Sequence, residues 1–445
     1  MKGSRIVVLI VGLAGLTSIV QAQNWPHFRG PSATGLSSEK NIPATWTEKE
    51  NIAWKATFRG AGVSSPIVWG DRVFVTSQAG RGNPRSGPRL VQNADAAAAG
   101  EVPLGTRSAA NSTAGDGVRF IVTALDRSTG KQVWEYESPV ESNPISVHEK
   151  HNLASPSPVT DGQRVYAWFG TGLLVALDMS GKLVWKRDLA SEYGPFDINW
   201  GHSSSPILYK GTVILLCYHP QSAYLLAVDS TSGANRWKVA RPRGVISYST
   251  PMVIETSGGK AELVVNSSTG LAGHDASTGE LLWQFDEANS YPITIATQSD
   301  GVIYTSRGYR SSPFMAIRPG GKGNIAETHV VWRVPSGAGY CSSIVYHDGL
   351  IYMVSDVGVV TATDAKTGER VWQERVGGVY SASPIVADGK IYFASEDGET
   401  VVMAAGRTPR VLSRNRLDAR ILASPAVAGG RLFIRSDDAV YAIGK

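Results

Sequence analysis

One pattern, Ala-x-Asp-x-x-Thr-Gly-x-x-x-Trp, returns along most of this chain and constrains its fold more than any other feature. It is read from Ala124-Leu125-Asp126 through Gly130 to Trp134, from Ala176-Leu177-Asp178 through Gly181 to Trp185, and from Ala227-Val228-Asp229 through Gly233 to Trp237. It recurs from Asp275 through Gly279 to Trp283 and from Asp364 through Gly368 to Trp372. A fixed period of this length marks an architecture built from one repeated supersecondary unit.

A second half-motif alternates with the first. It has Ser-Pro, an apolar pair, a Gly or Asp-Gly turn, and an alternating strand such as Arg72-Val73-Phe74-Val75. Copies begin at Ser65, Ser157, Ser205, Thr250, Ser383 and Ser424, with weaker ones at Ser343-Ile344 and after Tyr291-Pro292. Each unit then offers four short strands. Asp and Thr side chains bond backbone groups two or three residues on, and Gly supplies the positive φ of a tight hairpin. Four antiparallel strands per repeat describe a propeller blade.

The strand tryptophans are Trp54, Trp134, Trp185, Trp237, Trp283, Trp332 and Trp372, with Leu412 at the equivalent place in the seventh unit. Each is expected to lie structurally against the neighbouring blade. The last unit stops after three strands, at Val440-Tyr441-Ala442-Ile443, while an unassigned strand, Asn51 to Thr57, precedes the first Ser-Pro. The expectation is an all-β, eight-bladed β-propeller spanning 51–445, closed by pairing of its two ends, because closure removes sheet edges that would template aggregation.

Residues 1–22 read as an export signal: Lys2 and Arg5 precede an apolar run from Ile6 to Val20, which ends in Val20-Gln21-Ala22. Cleavage there leaves no window of spanning length. Residues 23–50 form an N-terminal extension. The expected location is periplasmic or secreted. The whole chain carries 43 basic and 38 acidic residues, and loss of Lys2 and Arg5 leaves a net charge of +3. Dispersed charge of that size excludes a nucleic-acid binder.

Residues 78–117 interrupt the first blade with Gly, Ala, Ser and Asn around Arg81, Arg85, Arg89 and Arg107, and read as a flexible, solvated insertion. The two cysteines, Cys217 and Cys341, fall three blades apart and are expected to stay unbridged, since a disulfide needs Cα atoms within about 7 Å.

These repeats, with the opening Trp25-Pro26-His27-Phe28-Arg29-Gly30-Pro31, resemble the PQQ-binding-like β-propeller repeat family, which includes quinoprotein dehydrogenases and BamB-like outer-membrane assembly proteins. The resemblance covers essentially the whole mature chain. Quinoprotein dehydrogenases carry an adjacent cysteine pair over the quinone, calcium ligands and an Asp base. This sequence has no adjacent cysteines, so no cofactor is expected, with PQQ and calcium as the alternative. The BamB-like lipoproteins carry a lipidated cysteine that is also missing here.

His148-Glu149-Lys150-His151 lacks the two-residue spacing between Glu and the second His that a zinc protease helix needs, so no metal site is expected. Asp197, Asp300 and Asp356 are available for acid–base chemistry, but no spacing pairs them, and no catalytic residue is nominated.

Position carries more weight than motif. In a propeller the residues before each innermost strand ring one mouth of the channel, and here they include His202, Tyr340 and Tyr380, with His151, Asn199, Trp200 and Tyr248 close by. Together they would form an aromatic, hydrogen-bonding funnel for a small ligand or a peptide loop. The expected function is a non-catalytic binding or scaffold propeller, monomeric, with a protein or polymer partner. Alternatives are a quinone-dependent oxidoreductase acting on alcohols or sugars, and a polysaccharide-binding module.

Overall fold

The structure, a computed structural model, describes residues 24–80, 83–85, 117–140, 146–256, 258–308 and 313–445. The export-signal segment and most of the 78–117 insertion lie outside these. Eight sheets follow one another as the blades of a β-propeller. Blades 1 to 7 span 67–139, 159–188, 207–241, 252–286, 297–334, 345–375 and 385–416, and blade 8 joins 426–443 to Ile52–Thr57.

Closure is as the repeat implied. Ile52–Thr57 pairs antiparallel with Ala439–Ile443, setting Trp54 opposite Ala442 and Lys55 opposite Tyr441. The register also explains the repeat. The Ala of each Ala-x-Asp lies opposite the Trp of the next strand, as Ala124 does Trp134, Ala227 does Trp237 and Ala362 does Trp372, with a bulge directly after. Asp126 Oδ1 accepts from the backbone N–H of Ser128 and Thr129 at 3.0 and 2.8 Å, holding the turn that ends at Gly130.

That glycine is required twice, by its φ of 71° and by Trp54, whose ring lies 2.6 Å from where a Cβ would be. The Trp54 indole donates to Arg127 O at 3.0 Å across the blade boundary. Trp134, Trp185, Trp332 and Trp372 repeat this with Met179 O, Ser230 O, Ala365 O and Gly406 O. Trp237 sits over Gly279 of blade 4.

Two positions depart from the expectation. Trp283 turns back over Gly273 of its own blade and donates to Glu262 Oε2 at 2.7 Å. Blade 5 has no Asp-Thr-Gly turn after its third strand; instead Gly323–Asn324 adds a parallel strand beside Trp283 and Gln284. In blade 7, Ser413 rather than Leu412 stands opposite Val402, because the Ala405–Arg410 turn is one residue longer than Ala365–Glu369 of blade 6. Trp46, from the N-terminal extension, joins the buried cluster between blades 7 and 8 instead.

The extension crosses the channel end opposite the mouth. Trp25 bridges to Val68 of blade 1, Pro26 O accepts from Thr160 of blade 2 at 3.0 Å, and Leu36–Ser37 pairs parallel with Val386–Ala387 of blade 7. The Arg29 guanidinium, buried, donates to Ile344 O at 2.7 Å. Glu39 caps the Gly429-Gly430 hairpin of blade 8 through both carboxylate oxygens.

Candidate binding site at the channel mouth

The Ser-Pro half of the repeat builds a belt around the channel. The backbone N–H of Ser65 donates to Ser157 Oγ at 2.8 Å, Ser157 to Ser205 Oγ at 2.9 Å, and Ser205 to Thr250 Oγ1 at 2.9 Å. After a gap at blade 5, Ile295 donates to Ser343 Oγ, Ser343 to Ser383 Oγ, and Ser383 to Ser424 Oγ, at 2.9 to 3.1 Å. Each hydroxyl satisfies a buried donor of the blade before it, so the innermost strands are locked in angle. The mouth loops stand on this belt.

One wall of the mouth is aromatic. His148 and Trp200 meet edge to face at 5.5 Å, Trp200 and Tyr291 lie 6.4 Å apart, and Tyr291 and Tyr248 lie 6.2 Å apart. Trp200 O accepts from the His148 backbone at 3.0 Å and contacts His151 Nε2, which ties the blade 1–2 connection to the 196–202 loop. Asn199 is exposed in that loop.

Other expected funnel residues are packed rather than presented. His202 is fully buried against Trp168 at 4.2 Å, with Nδ1 3.2 Å from His219 Nε2. Burial first, and then the neighbouring imidazole, holds His202 well below the ordinary histidine range; burial takes His219 down to about 3. Tyr380 is buried in the cluster between blades 6 and 7, and Tyr248 is nearly so; burial pushes both phenols up. Tyr340 stays half-buried, its backbone N–H donating to Asp356 Oδ1 at 3.2 Å.

The opposite wall is charged, and sequence reasoning missed most of it. Lys150 reaches from the blade 1–2 connection to Glu396 of blade 7, Nζ to Oε1 2.8 Å, and Ser381 Oγ donates to the same oxygen at 2.5 Å. Glu396 is only 5% exposed. Burial works against the Lys150 charge, yet the Glu396 carboxylate raises its pKa above the ordinary lysine value. Asp356, in the corresponding turn of blade 6, is pushed by burial up to about 7, against the pull of the Tyr340 N–H and Lys150.

The signal for this wall was in the repeat. Ser355-Asp356, Ser395-Glu396 and Ser436-Asp437 occupy the same turn of three consecutive blades. Asp437 is taken by Arg420, Nε to Oδ2 2.9 Å. Of the acids considered for acid–base chemistry, Asp356 is at the mouth, Asp197 is exposed, and Asp300 lies in a hairpin at the far end. Cys341 sits beside Asp356, whereas Cys217 is buried within blade 3; both thiols are free. No group of three His, Cys, Asp or Glu side chains among the described residues is placed to hold a metal ion.

The family described as outer membrane protein assembly factor BamB matches residues 44–190, 118–290 and 324–412, which together exceed half of the chain. Outer membrane protein assembly factor BamB of Yersinia pestis is 22% identical over 267 residues, 57% of this chain and 61% of that protein, so the chain spans less than two thirds of that relative. A polyvinylalcohol dehydrogenase of Sphingopyxis sp. is 27% identical over 235 residues, 43% of this chain and 35% of that one. The solved structure of BamB from Moraxella catarrhalis matches with a TM-score of 0.54 at 17% identity, covering 74% of this chain and 92% of that chain, a likeness of fold.

Proposed function

Because this chain belongs to the family described as outer membrane protein assembly factor BamB, we propose that it is a non-catalytic scaffold of the cell envelope that presents its channel mouth to a protein partner. It works in the periplasm or outside the cell, as a monomer. No helix among the described residues is long and apolar enough to cross a membrane.

The observation that carries this reading is the Lys150–Glu396 pair. It ties the blade 1–2 connection to blade 7 past blades 8 and 1, so part of the mouth is filled by the chain's own charged groups. A polar surface on which Glu396 Oε2 and Asp356 Oδ2 have no hydrogen-bond partner among the described residues, with an aromatic wall beside it, suits contact with a partner's loop. Calcium and a quinone do not fit this mouth well. Of the three carboxylates in these turns, Glu396 is engaged by Lys150 and Asp437 by Arg420, and Cys341 has no neighbouring cysteine to pair with.

Affinity capture from the native envelope tests the reading. The parent chain is expected to retain a protein partner, and Lys150→Glu, which sets like charges against Glu396, to lose it. Equal capture by both, together with a quinone absorption band and dye-linked alcohol oxidation after adding PQQ and calcium, would favour the oxidoreductase reading instead.

The aromatic row of His148, Trp200, Tyr291 and Tyr248 supports glycan recognition as a second reading. Loss of glycan binding in Trp200→Ala would establish it. Trp200 serves better here than Tyr380, whose truncation would open the core.

A further inference from the structure

The outer edge of blade 7 differs from its seven counterparts. Its last strand, Val411–Arg416, lacks the boundary tryptophan and leaves Val411 and Leu412 40% and 37% exposed side by side. It is also the final strand of its sheet, with no strand paired on its outward side among the described residues, although Ala44 O and the Trp46 N–H of the extension bond the side chains of Ser413 and Asn415 on one face. The same edge of blade 4 shows what such a strand accepts, since Gly323–Asn324 adds to it in parallel.

Charge narrows the occupant. From Gly406 to Arg416 the chain carries Arg407, Arg410, Arg414 and Arg416 and no acid. Arg407 is paired with Asp364 and Arg414 with Glu399, at 2.9 and 2.8 Å. Arg410 and Arg416 are exposed, with no carboxylate partner among the described residues. Beside the strand a cleft of about 580 Å³ opens, lined by Trp46, by the basic Lys49, Arg414 and Arg416, and by the acids Glu48 and Asp418, which leaves a net positive lining. Its Glu48 is turned to the backbone N–H of Asp418 at 2.9 Å, and the indole Nε1 of Trp46 is a buried donor without an acceptor.

We infer that this edge docks an extended, acidic segment of a partner polypeptide, which adds a strand beside Val411–Arg416 and places carboxylates against Arg410, Arg416 and Lys49. Backbone pairing supplies affinity, while alternate side chains select for apolar contacts with Val411 and Leu412 and acidic contacts with the arginines. This rests on the scaffold reading and adds a second contact surface to it, on the outer rim of the ring.

The test uses the whole chain and a labelled peptide of alternating valine and glutamate, followed by fluorescence anisotropy. Saturable binding is expected, weakened at least about tenfold by Arg410→Glu with Arg416→Glu, and weakened by added salt because exposed charges are screened. A valine-lysine peptide should bind the parent poorly and the double variant better. Unchanged thermal unfolding of the double variant shows that the fold is intact.

Equal binding of both peptides, indifference to the double substitution, binding only to anionic lipid vesicles, or burial of this edge by a second copy of the chain would each overturn the inference. If peptide binding fails while envelope capture still depends on Lys150, this inference falls alone. If capture fails while the peptide binds, the mouth reading falls alone.

Discussion

At the residue scale the decisive group is Asp356. Burial raises its pKa to about 7, so the folded protein holds this proton where an unfolded carboxyl, near 3.8, has lost it. The contribution to stability is therefore full below about pH 4 and is lost as pH rises through about 7. Asp356→Asn keeps an acceptor for the Tyr340 N–H and removes the charge. The variant should match the parent near pH 4 and exceed it by on the order of 2 kcal/mol at pH 8 in chemical denaturation. Equal pH profiles would show that the carboxyl is solvated. Sequence alone placed Asp356 among candidate acids but could not separate it from Asp300, because only the ring converts turn position into channel end. His202 precedes an innermost strand, and Trp168 and Phe196 cover it, a packing that no sequence spacing reveals.

At the scale of strands and turns, the glycine of each Asp-Thr-Gly turn and the tryptophan of the blade before it act as one joint. Gly181 has φ 87°, and an added Cβ would lie 2.6 Å from Trp134, so Gly181→Ala should cost about 2 to 4 kcal/mol, measured by urea unfolding. Trp185→Ala, which empties the joint between blades 2 and 3, should cost about 3 to 5 kcal/mol. A loss under about 1 kcal/mol for either would remove the joint from the account of stability. These elements were legible because turn chemistry and strand periodicity agree in nearly every copy. The exceptions arose where spacing was counted through an irregular turn. The longer turn before Val411 moved the boundary position from Leu412 to Ser413, and the parallel strand at Gly323 redirected Trp283. The hydroxyl belt was in view as Ser-Pro, but only coordinates reveal that each hydroxyl serves the neighbouring blade.

For the whole molecule, the ring depends on its two ends. Ile52–Thr57 completes blade 8, and the preceding extension touches blades 1, 2, 6, 7 and 8 on its way there. The closure could be read from a missing fourth strand; the path of the extension could not, since no repeat governs it. Cys217 and Cys341 sit in blade 3 and beside blade 6, so both thiols should alkylate after unfolding without reductant, and a bridged peptide in mass spectrometry would contradict the blade order. Hydrogen exchange at the closing strands is the most direct measurement. Amides of 52–57 and 439–443 should exchange together and only through global unfolding, with Trp54→Ala lowering protection in both segments at once. Exchange of 52–57 within seconds, while 439–443 stays protected, would mean that the ends do not pair and that the ring is closed in some other way.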